Sequence, residues 1–388
     1  MRHMRLIMVS GDFPPRLSGV GDYAWHVART AAMMGTEVTI VTTEPKGAPE
    51  LPQVASLDVR PVMTKWHFAE VNKILHVLRE SSARTVVNIQ YYCPATYGRQ
   101  LMINFLPALT RALWPETRIV ITMHGFWEQS RLFRLRTLPM LRAAHGVIYV
   151  DHLNQVLIRK YSCLAESCLK HIPIAGNIPP IPCTAEQRRM WRQELGLAEG
   201  DVAVAFFGGI GRNKGFEYLV EAVERVRKIN ALPMVLLAIG GFHSDGINNT
   251  YHQEVRDLIR RLGLEDCVCV LDSPNSTIVS KCLHAANLAV YPFLNGVGEN
   301  SGSMLAALAH GLPTVITAGP ANDASFAERF GVVMVPAQDS EQLADAITGL
   351  IMSPVHRQEM RERALEISSH LNWEFVTRET MDFFASLL

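Results

Sequence analysis

The chain has no net charge: 37 lysines and arginines balance 37 aspartates and glutamates over 388 residues. A nucleic-acid binder would carry a basic excess to meet phosphates, so that class is excluded. Charged residues make up only 19% of the chain, against 48% hydrophobic. That balance excludes disorder, which needs low hydrophobicity and high net charge. No apolar run approaches the ~18 residues of a membrane-crossing helix. The opening run Leu6–Val9 is too short for a signal peptide. The seven cysteines, at 93, 163, 168, 183, 267, 269 and 282, include no Cys-x-x-Cys pair. A disulfide framework and a structural zinc site are therefore not expected, and the reading is reduced thiols in a cytoplasmic protein. Also missing are Gly-x-Gly-x-x-Gly, Gly-x-x-x-x-Gly-Lys-Ser/Thr and Asp-x-Asp. The dinucleotide and P-loop fingerprints are thus absent.

What is present is an alternation of short β-branched runs and helical periods. Arg5–Val9, Glu37–Thr42, Thr85–Gln90, Arg118–Met123 and Gly146–Val150 read as strands. Val20, Ala24, Val27, Ala28, Ala31 and Met34 recur at helical spacing before Gly35. Four prolines between Ile172 and Pro182 interrupt the pattern and mark a linker. The alternation then restarts with strands at Val202–Phe207, Met234–Ile239, Val268–Leu271, Leu288–Tyr291, Thr314–Ile316 and Val332–Val335. A helix with Phe216, Leu219, Val220, Val223 and Val226 on one face follows the first of these. Ser340–Leu388 reads as three helical pieces. The expected fold is α/β, with two Rossmann-like, doubly wound parallel sheets. Their boundaries are expected at 1–176 and 177–369, with a last helix over about 370–388 returning to the first domain.

Ligands of open parallel sheets bind beyond the carboxyl ends of the strands. Three glycine-rich strand-to-helix turns lie there: Ser18–Gly21, Phe207–Gly215 and Asn295–Ser303. Glycine admits close approach of a ligand to the backbone, and a helix start offers unpaired N–H groups and a positive dipole end. Such turns can hold a diphosphate without a metal.

With these turns in view, the chain resembles the retaining, nucleotide-sugar-dependent GT-B glycosyltransferases of the glycosyl transferases group 1 (family 4-like) kind. The resemblance runs over nearly the whole length. It rests on Val9–Pro15 with Gly19–Tyr23, on Thr122–Gly125, on Gly208–Ala222, on Ala306–Val315 and on Gly331–Asp339 with Trp373. It implies two domains facing a central cleft and a sugar moved from a nucleoside diphosphate to an acceptor hydroxyl. No cofactor or metal is implied. Lys214 matches the lysine that meets the donor diphosphate. The family's preceding arginine is replaced by Gly209, and Arg212 is the candidate substitute for its charge. His124 matches the histidine that approaches the donor sugar. Ser18, Gly19 and Gly21 match the loop facing the donor phosphate.

The family's two glutamates should fall at positions 298 and 306, which are Gly298 and Ala306. Glu299 is the nearest carboxylate, followed by Asn300, Ser301, Gly302 and Ser303 at a helix start. Tyr91, Tyr92 and Arg99 follow a first-domain strand on the expected acceptor side. The acceptor itself, a glycan, a lipid-linked sugar or a small molecule, stays open. The segment from Arg131 to Arg142 mixes arginines with Leu132, Phe133, Leu135 and Leu138, a pattern compatible with peripheral contact at the inner face of an anionic membrane. His243, Asp245 and His252 form a weaker, metal-like grouping. Two other functions stand beside transfer: a nucleotide-sugar epimerase or hydrolase, and a degenerate member that binds nucleotide or a partner without transfer.

Overall fold

The structure is a computed structural model, described for residues 4–16, 18–45, 53–80, 84–92, 96–230, 233–242, 249–320 and 322–388. The chain divides into two compact units, Met1–Ile174 with Leu371–Leu388, and Ala175–His370.

The first unit holds seven strands: β1 (Arg5–Ser10), β2 (Glu37–Thr43), β3 (Leu57–Met63), β4 (Thr85–Tyr91), β5 (Arg118–Met123), β6 (Gly146–Tyr149) and β7 (Leu169–His171). All pair in parallel, in the order β3-β2-β1-β4-β5-β6-β7. Central strands of such a sheet are covered on both faces, which is why Leu6–Val9 of β1 is an unbroken apolar run. Ile7, Val9, Val87, Ile89, Ile119 and Ile121 form the middle of this core. The helix Gly19–Met33 buries Val20, Ala24, Val27, Ala28 and Ala31. Gly35, at φ +88°, supplies the left-handed turn that leads into β2.

The last helix, Trp373–Ser386, belongs to this unit. It starts on an Asn372 cap and buries Val376, Phe383 and Phe384. Trp373 stacks on His26 at 4.6 Å, and the Leu387 carbonyl accepts from Arg118 Nε at 2.7 Å.

The second unit holds six strands: β8 (Val202–Phe207), β9 (Met234–Gly240), β10 (Val268–Asp272), β11 (Leu288–Tyr291), β12 (Thr314–Ala318) and β13 (Val333–Pro336). They too are all parallel, in the order β10-β9-β8-β11-β12-β13. Phe216, Leu219, Val220, Val223 and Val226 are fully buried on the helix that follows β8.

Both sheets therefore reverse their winding once, between β1 and β4 and between β8 and β11. In open α/β sheets the ligand site lies at this reversal, outside the strand carboxyl ends. Two strands escaped the sequence reading. β3 carries Asp58, Arg60 and Pro61 and lies at an edge, where proline is tolerated because one side needs no ladder donor. β7 has only three residues, too few for a pattern. The six described cysteines are all free, and Cys93 lies outside the described residues.

Candidate functional site

In the second unit, the loops after β8 and β11 meet at the winding reversal. The chain leaves β8 through Gly208, at φ +142°. It then forms a short turn over Arg212–Lys214 and passes Gly215 in the left-handed region at φ +59°. A Cβ on Gly215 would lie 2.2 Å from the Pro292 carbonyl oxygen. Only glycine permits this approach, and it locks the lysine turn onto the segment after β11. The Leu294 amide completes the junction by donating to the Asn213 carbonyl at 3.0 Å. Lys214 Nζ sits 3.7 Å from the centroid of the Phe293 ring. The lysine is thus held at the mouth of both loops, against the face of the Phe293 ring.

Arg212 is placed differently. Its guanidinium pairs with Glu254 at 2.7 Å and lies 4.9 Å from the Tyr251 ring centroid. Its charge is balanced by the helix Asn249–Arg261. Gly209 sits between these features, in the bend leading to Ile210.

The loop after β11 is braced from β12. Asn322 Nδ2 donates to the Val297 carbonyl at 2.7 Å, and its Oδ1 accepts from the Gly319 amide at 2.9 Å. The helix Gly302–Ala309 begins at Ser301, whose side chain caps Met304 N. Tyr291 donates to the Ser303 carbonyl at 2.7 Å, fixing the first turn beside the end of β11. Glu299 is 9% exposed, with Arg329 Nη2 4.0 Å from its carboxylate. Asn300 and Ser301 follow it directly into the helix start.

Ala306 is completely buried. A Cβ placed on Gly176 would sit 2.8 Å from the Ala306 nitrogen and 2.9 Å from its Cα. Gly176 and Asn177 lie across the helix, with Asn177 N 3.5 Å from the Gly302 carbonyl. The backbone of the proline-rich segment therefore occupies the side of the helix around position 306. Nothing in the local sequence of either segment announced this contact.

In the first unit, Ser18 caps the helix Gly19–Met33 and donates to Asp12 at 3.0 Å. Burial raises the Asp12 carboxyl above its ordinary range, opposed by Arg16 and Ser18. Gly21 packs against the Asp12–Phe13 backbone, where a Cβ would lie 3.2 Å away, whereas Gly19 faces open space.

His124 directly follows β5, at 8% exposure. Its Nε2 lies 2.7 Å from Gln90 Oε1. Gln90 donates in turn to Asn88, and Asn88 donates to Thr122 at 2.9 Å and to the Val120 carbonyl at 3.2 Å. This buried chain assigns the Nε2–H tautomer to His124. Tyr23 packs edge-on against the imidazole at 4.8 Å. Asn88 and Gln90 were missed by the sequence reading. Their signal was two amides in a strand otherwise made of β-branched and aromatic residues.

Burial pushes the His124 imidazole down to about 3, and those of His145 and His310 down to about 4. Folded-state values lie below the ordinary 6.5, so the unfolded chain binds more protons in that window. Stability is fully present above about pH 6.5 and is lost as pH falls towards 4. Thermal melts between pH 4 and 8 are expected to show this acid-side slope. His124→Asn is expected to flatten it; an unchanged slope in that variant counts against His124 as a contributor.

The acceptor-side tyrosines separate. Tyr91 is 1% exposed; its hydroxyl accepts from Asn104 Nδ2 at 2.8 Å and its ring stacks with Tyr97 at 6.0 Å. It is a core residue, which corrects its placement on the acceptor side. The alternation of side chains along a strand turns Tyr91 inward and frees Tyr92. Tyr92 covers Gly125, where a Cβ would lie 2.4 Å from the ring, and donates to Glu128 at 3.1 Å. Arg99 is exposed. His252 is buried with Nε2 2.7 Å from the Ile210 carbonyl, while His243 and Asp245 lie outside the described residues.

Residues 187–366 match the family described as glycosyl transferases group 1. A D-inositol 3-phosphate glycosyltransferase of Corynebacterium urealyticum is 27% identical over 209 residues, 53% of this chain and 48% of that protein. A mannosylfructose-phosphate synthase of Agrobacterium fabrum is 30% identical over 156 residues, 38% of this chain and 33% of that protein. The match to such curated relatives spans about half their length or less. Among solved structures, sucrose-phosphate synthase from Thermosynechococcus elongatus superposes with a TM-score of 0.79 at 17% identity, covering 99% of both chains. Anabaena Alr3699/HepE in complex with UDP and glucose superposes at 0.76 and 16% identity, covering 99% of this chain and 100% of that one. The chain thus has the two-domain GT-B fold of these solved structures, and its residues 187–366 match the glycosyl transferases group 1 model.

Proposed function

We propose that the protein is a retaining glycosyltransferase that moves a sugar from a nucleoside-diphosphate sugar to an acceptor hydroxyl. The observation that carries this reading is the Gly215–Pro292 contact. It sets Lys214 beside the loop that leads into the helix Gly302–Ala309, at the winding reversal of the second sheet.

A diphosphate there would meet the Lys214 ammonium and the amides of a helix start together. Breaking the bond between the sugar's anomeric carbon and the phosphate oxygen leaves negative charge on the phosphate. Lys214 and the helix start stabilise that charge where it develops. The departing phosphate takes the proton of the incoming acceptor hydroxyl, and the new glycosidic bond forms on the face the phosphate leaves. The second unit contributes positioning by holding the donor. The Anabaena protein solved with UDP and glucose is consistent with a nucleotide-sugar donor.

Thermal shift with UDP-, GDP- and ADP-sugars identifies the donor, because a ligand bound only by the folded state raises the melting point. Turnover with and without an acceptor panel then separates the three functions. Transfer with net retention supports the proposal. Acceptor-independent epimerisation or hydrolysis, or binding without turnover, overturns it.

The chain contains no Asp-x-Asp, and a lysine with a helix start can hold a diphosphate alone. Transfer is therefore expected to continue at its full rate in EDTA. Loss in EDTA with restoration by magnesium or manganese would contradict this.

A further inference from the structure

The first unit carries a basic, apolar surface that the transfer reading leaves unused. Residues 81–115 and 129–150 contain seven arginines and no aspartate or glutamate, bordered by Glu80, Glu116, Glu128 and Asp151, in a chain whose total charge is zero. These stretches include the helices Met102–Leu113 and Arg131–Arg136. Arg136 ties them together: it donates to the Gln100 carbonyl and lies 3.4 Å from Asn104 Oδ1.

Large apolar side chains stand exposed on both helices or at their start. Leu132 is 76% and Leu135 52% exposed, one turn apart, while Leu101 is 45% and Phe105 40% exposed. Phe105 packs its ring against exposed Phe68 at 5.9 Å. Exposed Arg111 and Arg131 belong to the same two helices. Scattered exposed leucines need no explanation, but a group of them on two linked helices without a carboxylate does.

We propose that this surface docks the protein on an anionic lipid bilayer. The helix Arg131–Arg136 would lie in the headgroup layer, with Leu132 and Leu135 in the acyl boundary and the exposed Arg131 and Arg111 on lipid phosphates, while Arg134 and Arg136 stay on backbone carbonyls. The local charge argues for this occupant. A bilayer rich in phosphatidylglycerol offers both negative charge and an apolar layer, whereas a second copy of this surface would bring arginines against arginines. No helix of the described residues is long and apolar enough to cross a membrane, so the attachment is peripheral and reversible.

Sedimentation with vesicles tests this without any donor sugar, so its outcome is independent of the transfer reading. The full chain is expected to co-sediment with phosphatidylglycerol/phosphatidylcholine vesicles, to stay in solution with pure phosphatidylcholine, and to be released by salt. Leu132→Ser with Leu135→Ser is expected to weaken vesicle binding by about tenfold or more, and Arg131→Glu to weaken it further. Both variants alter exposed positions and should melt like the parent, with unchanged donor binding by thermal shift. Equal binding to neutral and anionic vesicles, no binding to either, or binding unchanged in the variants would overturn the proposal. Concentration-dependent dimerisation abolished by the leucine variant, without vesicle binding, would assign the surface to a second copy instead.

Discussion

Lys214→Ala is expected to lower kcat/KM for sugar transfer by about 10²–10³-fold, the usual effect of removing one group that stabilises developing charge. The side chain is half-buried on the Phe293 ring and takes no part in a core. A cation–π contact of this kind contributes about 1 kcal/mol, so the variant should fold and melt close to the parent. Loss of rate with a preserved melt separates chemistry from folding. Lys214→Arg should recover part of the rate, because it keeps the charge but changes its reach and geometry. Arg212→Ala should cost much less, because Glu254 already balances that guanidinium on an exposed helix. Near-normal turnover of Lys214→Ala at saturating donor would remove the lysine from the mechanism. A larger loss in Arg212→Ala than in Lys214→Ala would move the diphosphate towards the helix Asn249–Arg261.

The central strands were legible because a parallel strand covered on both faces must be apolar and is rich in β-branched residues. The bounds read for β5, β8 and β11 coincide with those in the structure. Edge strands escape this logic, as the charged, proline-containing β3 shows. The glycine turns could also be read in sequence, since only glycine tolerates the approach seen at Gly215.

What could not be read was the side chain's destination. Arg212 meets Glu254, 42 positions along the chain, and His124 meets Gln90, 34 positions back. Tyr91 and Tyr92 are adjacent in sequence but part company in space, because neighbouring side chains on a strand point to opposite faces. Ala306 is governed by Gly176, on a segment read only as a linker. Each of these outcomes depends on long-range packing, which leaves no periodic trace in the chain.

Ala306→Glu is expected to destabilise the second unit by about 3–5 kcal/mol, the order of cost for an uncompensated buried charge. Ala306 has no exposed surface, and the Gly176 backbone lies against the helix there. A longer side chain must displace that backbone and shift Gly302–Ala309, the helix proposed to meet the diphosphate. Thermal melting should show an early loss of the second unit, and donor binding should weaken along with it. Glu299→Ala is expected to act without unfolding. Glu299 follows the braced loop after β11, and Arg329 retains Asp323 at 3.4 Å when the carboxylate is removed. A donor hydroxyl bonded to that carboxylate would lose about 1.5–3 kcal/mol, a rise in donor KM of about tenfold or more. Glu299→Gln keeps an acceptor oxygen and should restore part of the affinity. The assignment fails if Ala306→Glu folds and tightens donor binding while Glu299→Ala is silent. In that case the helix has room for a carboxylate at 306, and the donor's hydroxyls are held there and not from the loop.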